Sequence, residues 1–243
     1  MKIFITDDYS KLSKQAADDL VSFVQEKSNP LVCTASGDTP AELYKILVEK
    51  VKDKELEISD WYFLGLDEWA GMNGEDDGSC RFHLNNQLFH PLQIPDGRII
   101  FFNGKAKDLN KECNDIESFI QQKKGIDAAI LGLGLNGHAG MNEPGTSALL
   151  RSHVTTLDPL TIKTGQKYFS KPQQLSSGIT LGLATLLESE FIFLLVSGAH
   201  KAAIVKQVLE GPVSENVPAS LLRNHPGLRI YLDKEAAQQL QSN

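Results

Sequence analysis

The chain reads as an α/β protein with a Rossmann-like, doubly wound and mainly parallel sheet flanked by helices. Three observations predict this. Short apolar runs alternate with segments whose apolar residues recur at helical spacing, along the whole 243-residue chain. The runs are apolar throughout, as in strands covered on both faces, which points to parallel pairing. No internal repeat, low-complexity tract or linker interrupts the alternation, so residues 1–243 are expected to form one domain, although the length alone also allows two small ones.

The elements follow in order. Residues 2–6 read as a strand. Residues 10–25 read as a helix, with Leu12, Ala16, Leu20 and Val24 on one face. A strand over 31–35 and a helix over 40–51 come next, then a strand over 61–66. Residues 79–89 predict a helix, 98–102 a strand and 109–123 a helix. The run Ala128-Ala129-Ile130-Leu131 lies in a buried strand over 127–133. Residues 180–187 predict a helix, 191–196 a strand, 201–209 a helix and 228–232 a last strand before a short C-terminal helix. The acidic, glycine-containing stretch 71–78 reads as a surface loop or lid. The stretch 142–178 is the least regular and has room for a mobile segment.

Composition narrows the function. A net charge of −7 argues against non-specific binding to nucleic acid or to anionic membranes. An anionic substrate must therefore be held by backbone dipoles and a few placed cations. Cys33, Cys80 and Cys113 are an odd number without metal spacing and fit a reducing cytoplasm, with Cys33 in the core. The first residues turn acidic at once and do not resemble a signal peptide. No apolar run approaches the roughly 20 residues that span a bilayer.

Four predicted strand ends carry polar residues, and ligands of open α/β sheets bind in the crevice at such ends. The first is Thr34-Ala35-Ser36-Gly37-Asp38-Thr39-Pro40. Pro40 suits the first helical position, and free backbone N–H groups before a helix form an anion site. An ordinary helix cap by Asp38 or Thr39 explains the same letters. The second is Leu64-Gly65-Leu66-Asp67-Glu68-Trp69. Strand alternation sends Asp67 and Glu68 to opposite sides, so one of them faces the crevice; a pair of solvated acids is the plainer alternative. The third is Gly132-Leu133-Gly134-Leu135-Asn136-Gly137-His138-Ala139-Gly140-Met141-Asn142-Glu143-Pro144-Gly145. His138 supplies an imidazole, the side chain suited to proton transfer in neutral solution, and Glu143 can orient it, which is equipment for proton transfer without a metal. The fourth is Ser197-Gly198-Ala199-His200-Lys201, where Lys201 opens a helix. A cation there opposes the helix dipole, and a bound anion would remove the penalty.

Gly132, Gly134 and Gly137 also spell G-x-G-x-x-G, with Asp158 about 20 residues further on, as in a dinucleotide-binding fingerprint. That reading needs a helix to open at the glycines. Gly140, Pro144 and Gly145 argue against one. Convergence of an anion cradle, an acid, a histidine–carboxylate pair and a lysine favours an enzyme acting on a small phosphorylated molecule.

These four segments resemble the glucosamine/galactosamine-6-phosphate deaminase (isomerase) family over nearly the whole chain. Leu66-Asp67-Glu68-Trp69 and Gly178-Ile179-Thr180-Leu181-Gly182-Leu183 look closer to its galactosamine-type branch. The 6-phosphogluconolactonases share the fold and the Gly-His turn but lack the Asn-Glu-Pro present here. The resemblance implies a single-domain fold of the amino-sugar-phosphate isomerase and ribose-5-phosphate isomerase kind. It also implies conversion of a 2-amino-2-deoxyhexose 6-phosphate into a ketohexose 6-phosphate plus ammonia, in the cytoplasm, without metal or organic cofactor. By resemblance Asp67 is the base moving a proton between C2 and C1, His138 the ring-opening acid/base, Glu143 its orienting partner, and Asn136 the third member of that group. Some relatives carry aspartate at that third position, so His138 should be less firmly held as imidazolium here. Ser36, Gly37, Asp38, Thr39, Gly137 and Lys201 match substrate and phosphate contacts. Lys167 aligns with a phosphate-binding arginine, keeping the charge and losing the fork. His153 and Thr155 stand where some family hexamers carry basic effector-binding residues, which makes an anion effector site and a hexamer doubtful. Monomer or homo-oligomer stays open. The rival readings are a lactone hydrolase acting on a 6-phosphosugar and a non-catalytic sugar-phosphate sensor.

Overall fold

The computed structural model describes residues 1–241. In chain order the elements are β1 (Lys2–Thr6), α1 (Tyr9–Val24), β2 (Leu31–Thr34), α2 (Ala41–Lys52), β3 (Tyr62–Gly65), β4 (Asp67–Trp69), α3 (Cys80–Leu84), β5 (Ile99–Ile100), α4 (Leu109–Gln122), β6 (Ala128–Leu131), β7 (His153–Thr156), α5 (Pro159–Gly165), β8 (Ser177–Thr180), α6 (Leu183–Leu187), β9 (Phe191–Val196), α7 (Ala202–Glu210), β10 (Leu228–Asp233) and α8 (Lys234–Ala237). Seven strands form a parallel sheet in the order β1-β10-β9-β6-β2-β3-β5. The predicted fold class is the observed one.

The apolar strands are explained by a core on each face of this sheet. In β2, Leu31 and Cys33 point to one side and Val32 to the other. In β6, Ala129 and Leu131 join the first side, Ala128 and Ile130 the second. Helices α4 and α7 cover one face with Cys113, Ile116, Val205 and Val208; α1 and α2 cover the other with Leu12, Ala16, Leu43 and Leu47. From β2 the strand order runs through β3 to one edge, and from β6 through β9 to the other. The crevice between the ends of β2 and β6 is therefore the switch point where such sheets bind ligands.

A second, antiparallel sheet, β4-β8-β7, lies beside the first and was not foreseen. The chain leaves the parallel sheet at Leu66, whose N–H bonds Thr34 O while its carbonyl accepts from Leu181 N–H. Asp67 thus stands at the crease between the two sheets. The helix expected over 180–187 begins only at Leu183, after Gly182, because Ser177–Thr180 pair with both β4 and β7. Gly178 permits this, since a Cβ there would lie 2.1 Å from the Met141 sulfur. The irregular stretch 142–178 contains β7 and α5. The helix over 79–89 is α3 continued by a π-helical turn, Asn85–Phe89. The loop 71–78 runs on the surface, tied by Gly71 N–H to Gly104 O at 2.7 Å and by Lys105 to Asp76 at 2.7 Å. No helix among the described residues is long and apolar enough to cross a membrane. Cys33, Cys80 and Cys113 are buried and unpaired.

Candidate active site

A cavity of about 660 Å³ opens at the ends of β2, β3, β6 and β9. Ser36, Asp38, Thr39, Asp67, Asn136, His138, Lys167 and Lys201 line it. Glu143 lies just behind His138, and Gly37 and Gly137 shape the turns beneath the wall.

After β2 the chain turns before α2. Among the described residues, the backbone N–H groups of Ser36, Gly37, Asp38 and Thr39 donate to no protein acceptor. Pro40 takes the cap position and no side chain caps the helix, so the plain capping role for Asp38 or Thr39 does not occur. Gly37 has φ +105, and a Cβ there would sit 2.9 Å from the Tyr168 hydroxyl. Tyr9 ties the turn down through its hydroxyl, 2.8 Å from the carbonyls of Asp38 and Thr39. Such a set of free donors before a helix suits a phosphate.

Two lysines face this turn. Lys167 pairs with Asp38 at 2.5 Å. Lys201, at the start of α7, donates to Leu133 O at 2.5 Å. Burial, together with the nearby Lys167, pulls the Lys201 ammonium down to about 8. A bound dianion would reverse that shift, because it supplies the opposite charge the site lacks.

The turn after β6 opens no helix. Gly134 N–H bonds His138 O at 3.0 Å, and the chain folds back on itself. The dinucleotide reading therefore falls, and Asp158 caps α5 instead, accepting from Leu160 N–H at 2.7 Å. Gly134 is required for another reason: a Cβ there would lie 2.3 Å from the His138 ring. Gly137 spends its N–H on Gly134 O at 3.0 Å and its carbonyl on Ala219 N–H at 2.8 Å, which leaves it shaping the turn.

The His138 Nδ1 lies 3.2 Å from Glu143 Oε2, and Asn136 Nδ2 donates to the same oxygen at 2.8 Å. Asn136 Oδ1 in turn accepts from His138 N–H at 3.2 Å. Burial works against the Glu143 charge, but His138, Thr161 and Asn136 outweigh it and hold the carboxyl below its usual range. With a carboxylate at Nδ1, the proton belongs on that nitrogen and Nε2 is the free base. Thr161, 3.2 Å from Nδ1, completes the group and had no signal in the sequence, because α5 lies in the stretch that looked irregular.

Asp67 lines the cavity and its neighbour Glu68 does not, as strand alternation required. Burial pushes Asp67 up to about 6, against the Cys80 thiol and His138, which favour its charge. Glu68 is no solvated acid: it is fully buried under backbone donors. Cys80, Tyr9, Thr161, Lys163 and Tyr168 also line the cavity and were not foreseen. His153 and Thr155 lie away from it in β7, His153 Nδ1 against Arg151 O at 2.8 Å. Among the described residues no group of three or more His, Cys, Asp or Glu side chains is placed to hold a metal.

An α/β sheet with an anion turn, an acid and a histidine–carboxylate pair at its switch point defines a class of sugar-phosphate proteins, and comparison places the chain within it. The family of glucosamine-6-phosphate isomerases/6-phosphogluconolactonase matches residues 7–230, and the chain belongs to this family. It is 38% identical over 238 residues to the glucosamine-6-phosphate deaminase of Clostridium tetani, covering 98% of this chain and 99% of the relative. It is 36% identical to that of Thermoanaerobacter pseudethanolicus, covering 98% and 94%. A solved monomeric glucosamine-6-phosphate deaminase superposes with a TM-score of 0.94 at 35% identity, over 98% of this chain and 99% of that one. The 6-phosphogluconolactonase of Trypanosoma brucei shares the fold, with a TM-score of 0.77 at 20% identity, over 99% and 98% of the two chains.

Proposed function

We propose that the chain is an amino-sugar-6-phosphate deaminase of the isomerising type, acting as one domain over residues 1–243. The observation that carries this is the placing of Asp67, the His138–Glu143 pair and the free N–H turn on one cavity. The N–H groups of residues 36–39, with Lys201 and Lys167, hold the 6-phosphate. His138 delivers a proton to the ring oxygen and takes one from the anomeric hydroxyl, opening the sugar. Asp67 then removes the C2 proton and returns one to C1. The enolamine so formed becomes a C2 imine, water adds at C2 and ammonia leaves. The net change is hydrolysis of a C–N bond: aminohexose phosphate plus water gives ketohexose phosphate plus ammonia. Deaminase relatives at 34–38% identity over full length support this reading over lactone hydrolysis, since the lactonase of Trypanosoma brucei is only 20% identical. Each side chain invoked comes from one chain, and the similar solved deaminase is described as monomeric.

The test is ammonia release from glucosamine 6-phosphate and galactosamine 6-phosphate, assayed side by side with hydrolysis of 6-phosphogluconolactone. Ammonia from either amino sugar is expected, and the ratio assigns the branch. Lactone turnover without ammonia from either would overturn the proposal.

Lys201→Ala is expected to raise KM for the phosphorylated sugar by about 10–100-fold, the range for a charge-assisted hydrogen bond. The wild-type KM should also rise above about pH 8, where Lys201 of the free protein loses its proton. Equal turnover of the unphosphorylated sugar by wild type would show that no phosphate is recognised.

A further inference from the structure

We propose that Glu68 is a positioning residue for Asp67, tying the first turn of α3 to β4 and so fixing the strand end that carries the base. The inference rests on Asp67 being the base. Glu68 is fully buried. Its Oε1 accepts from Trp69 N–H at 2.8 Å and from Cys80 N–H at 2.9 Å; its Oε2 accepts from Arg81 N–H at 3.0 Å. One carboxylate thus joins the strand carrying the base to the helix across the loop 70–79. A buried charge is costly unless its partners are complete, and here three backbone donors supply them.

The stitch has a chemical consequence at Asp67. Cys80, 4% exposed, lines the same cavity as Asp67 and Ser36. Its thiol favours the ionised base, as does His138 from the turn after β6. The Cys33 thiol of β2 and the Tyr44 hydroxyl of α2 also feel the Asp67 charge. Glu68 acts the other way. Its own negative charge, one residue along β4, favours a proton on Asp67, and burial first and then Asp67 help to push Glu68 itself up to about 7. Two neighbouring buried carboxylates titrate as a pair.

Glu68→Gln keeps the volume, removes the charge and cannot accept all three N–H groups. It is expected to lower kcat about tenfold through misplacement of the base and to leave KM within about threefold. A merely structural role would instead lower the melting temperature without this split between kcat and KM. The idea is overturned if Glu68→Gln keeps kcat, or loses stability alone. Should Glu68→Gln fail to fold, Glu68→Asp decides: a loss of kcat at near-wild-type KM supports the link, and wild-type kcat overturns it. Asp67→Asn runs alongside. If it stays active, the base assignment itself is wrong; if it is dead while Glu68→Gln behaves as wild type, only the present inference fails.

Discussion

Asp67→Asn is expected to cut turnover by about 10²–10⁴-fold, the usual worth of a general base, while substrate binding stays nearly intact. A variant keeping more than about a tenth of wild-type turnover would remove Asp67 from proton transfer. The same variant should be more stable than wild type in alkaline buffer. Burial raises the folded-state pKa of Asp67 from 3.8 to about 6, so the folded protein holds this proton more tightly than the unfolded chain does. Ionising it therefore destabilises the fold, increasingly as pH rises from about 4 to 6 and fully above that. Asn removes this cost, worth about 1–2 kcal/mol after allowing for the side chain's access to the cavity. That corresponds to a melting temperature about 2–8 °C higher at pH 8 for a chain of this size. The gain should shrink towards zero at pH 4, where wild-type Asp67 is protonated anyway. A melting temperature that does not rise at pH 8 would show that Asp67 is better solvated than its place at the crease implies.

The second large effect belongs to His138. His138→Gln should slow the cyclic substrate by about 10²-fold or more and affect an open-chain substrate less, because only the ring needs a proton at its oxygen. Glu143→Gln should give a milder loss and shift the pH optimum, since the carboxylate that fixes the imidazole tautomer becomes a neutral amide. Gly134→Ala provides a control that changes no polar atom. Its new methyl would meet the His138 ring at 2.3 Å, so the ring must move, and the same selective loss on the cyclic sugar is expected. Equal losses on cyclic and open-chain substrates would transfer His138 to the isomerisation step.

The parallel sheet was legible because both its faces are buried. Ala128-Ala129-Ile130-Leu131 is apolar at every position for the reason that each side faces its own core. The second sheet was not legible. β4 is only Asp-Glu-Trp and β8 is Ser-Gly-Ile-Thr; β4 exists through pairing with β8, and β8 through pairing with β4 and β7, rather than through any run of strand formers. The site divides in the same way. Asp67 and His138 stand at strand ends and could be found from local letters. Glu68 and Cys80 could not, because what matters is the closure of the loop 70–79, a contact between residues 12 positions apart with no periodic signal. Lys167 lies in a stretch with no readable pattern, and only the resemblance singled it out.

The pairing of Lys167 with Asp38 at the mouth of the phosphate turn bears on selectivity. The two side chains are 55% and 72% exposed and neutralise each other, so the empty turn offers an incoming anion little net attraction beyond its amide dipoles and Lys201. A phosphate must draw Lys167 away from Asp38 before it can use that cation, and an exposed ion pair exchanges partners at small cost. Free inorganic phosphate has nothing else to contribute to the exchange. A phosphorylated sugar also brings hydroxyls and a ring that the rest of the cavity can grip. Under the proposed function, inorganic phosphate should therefore be a weak competitor of the phosphorylated sugar, which an inhibition assay with added phosphate checks.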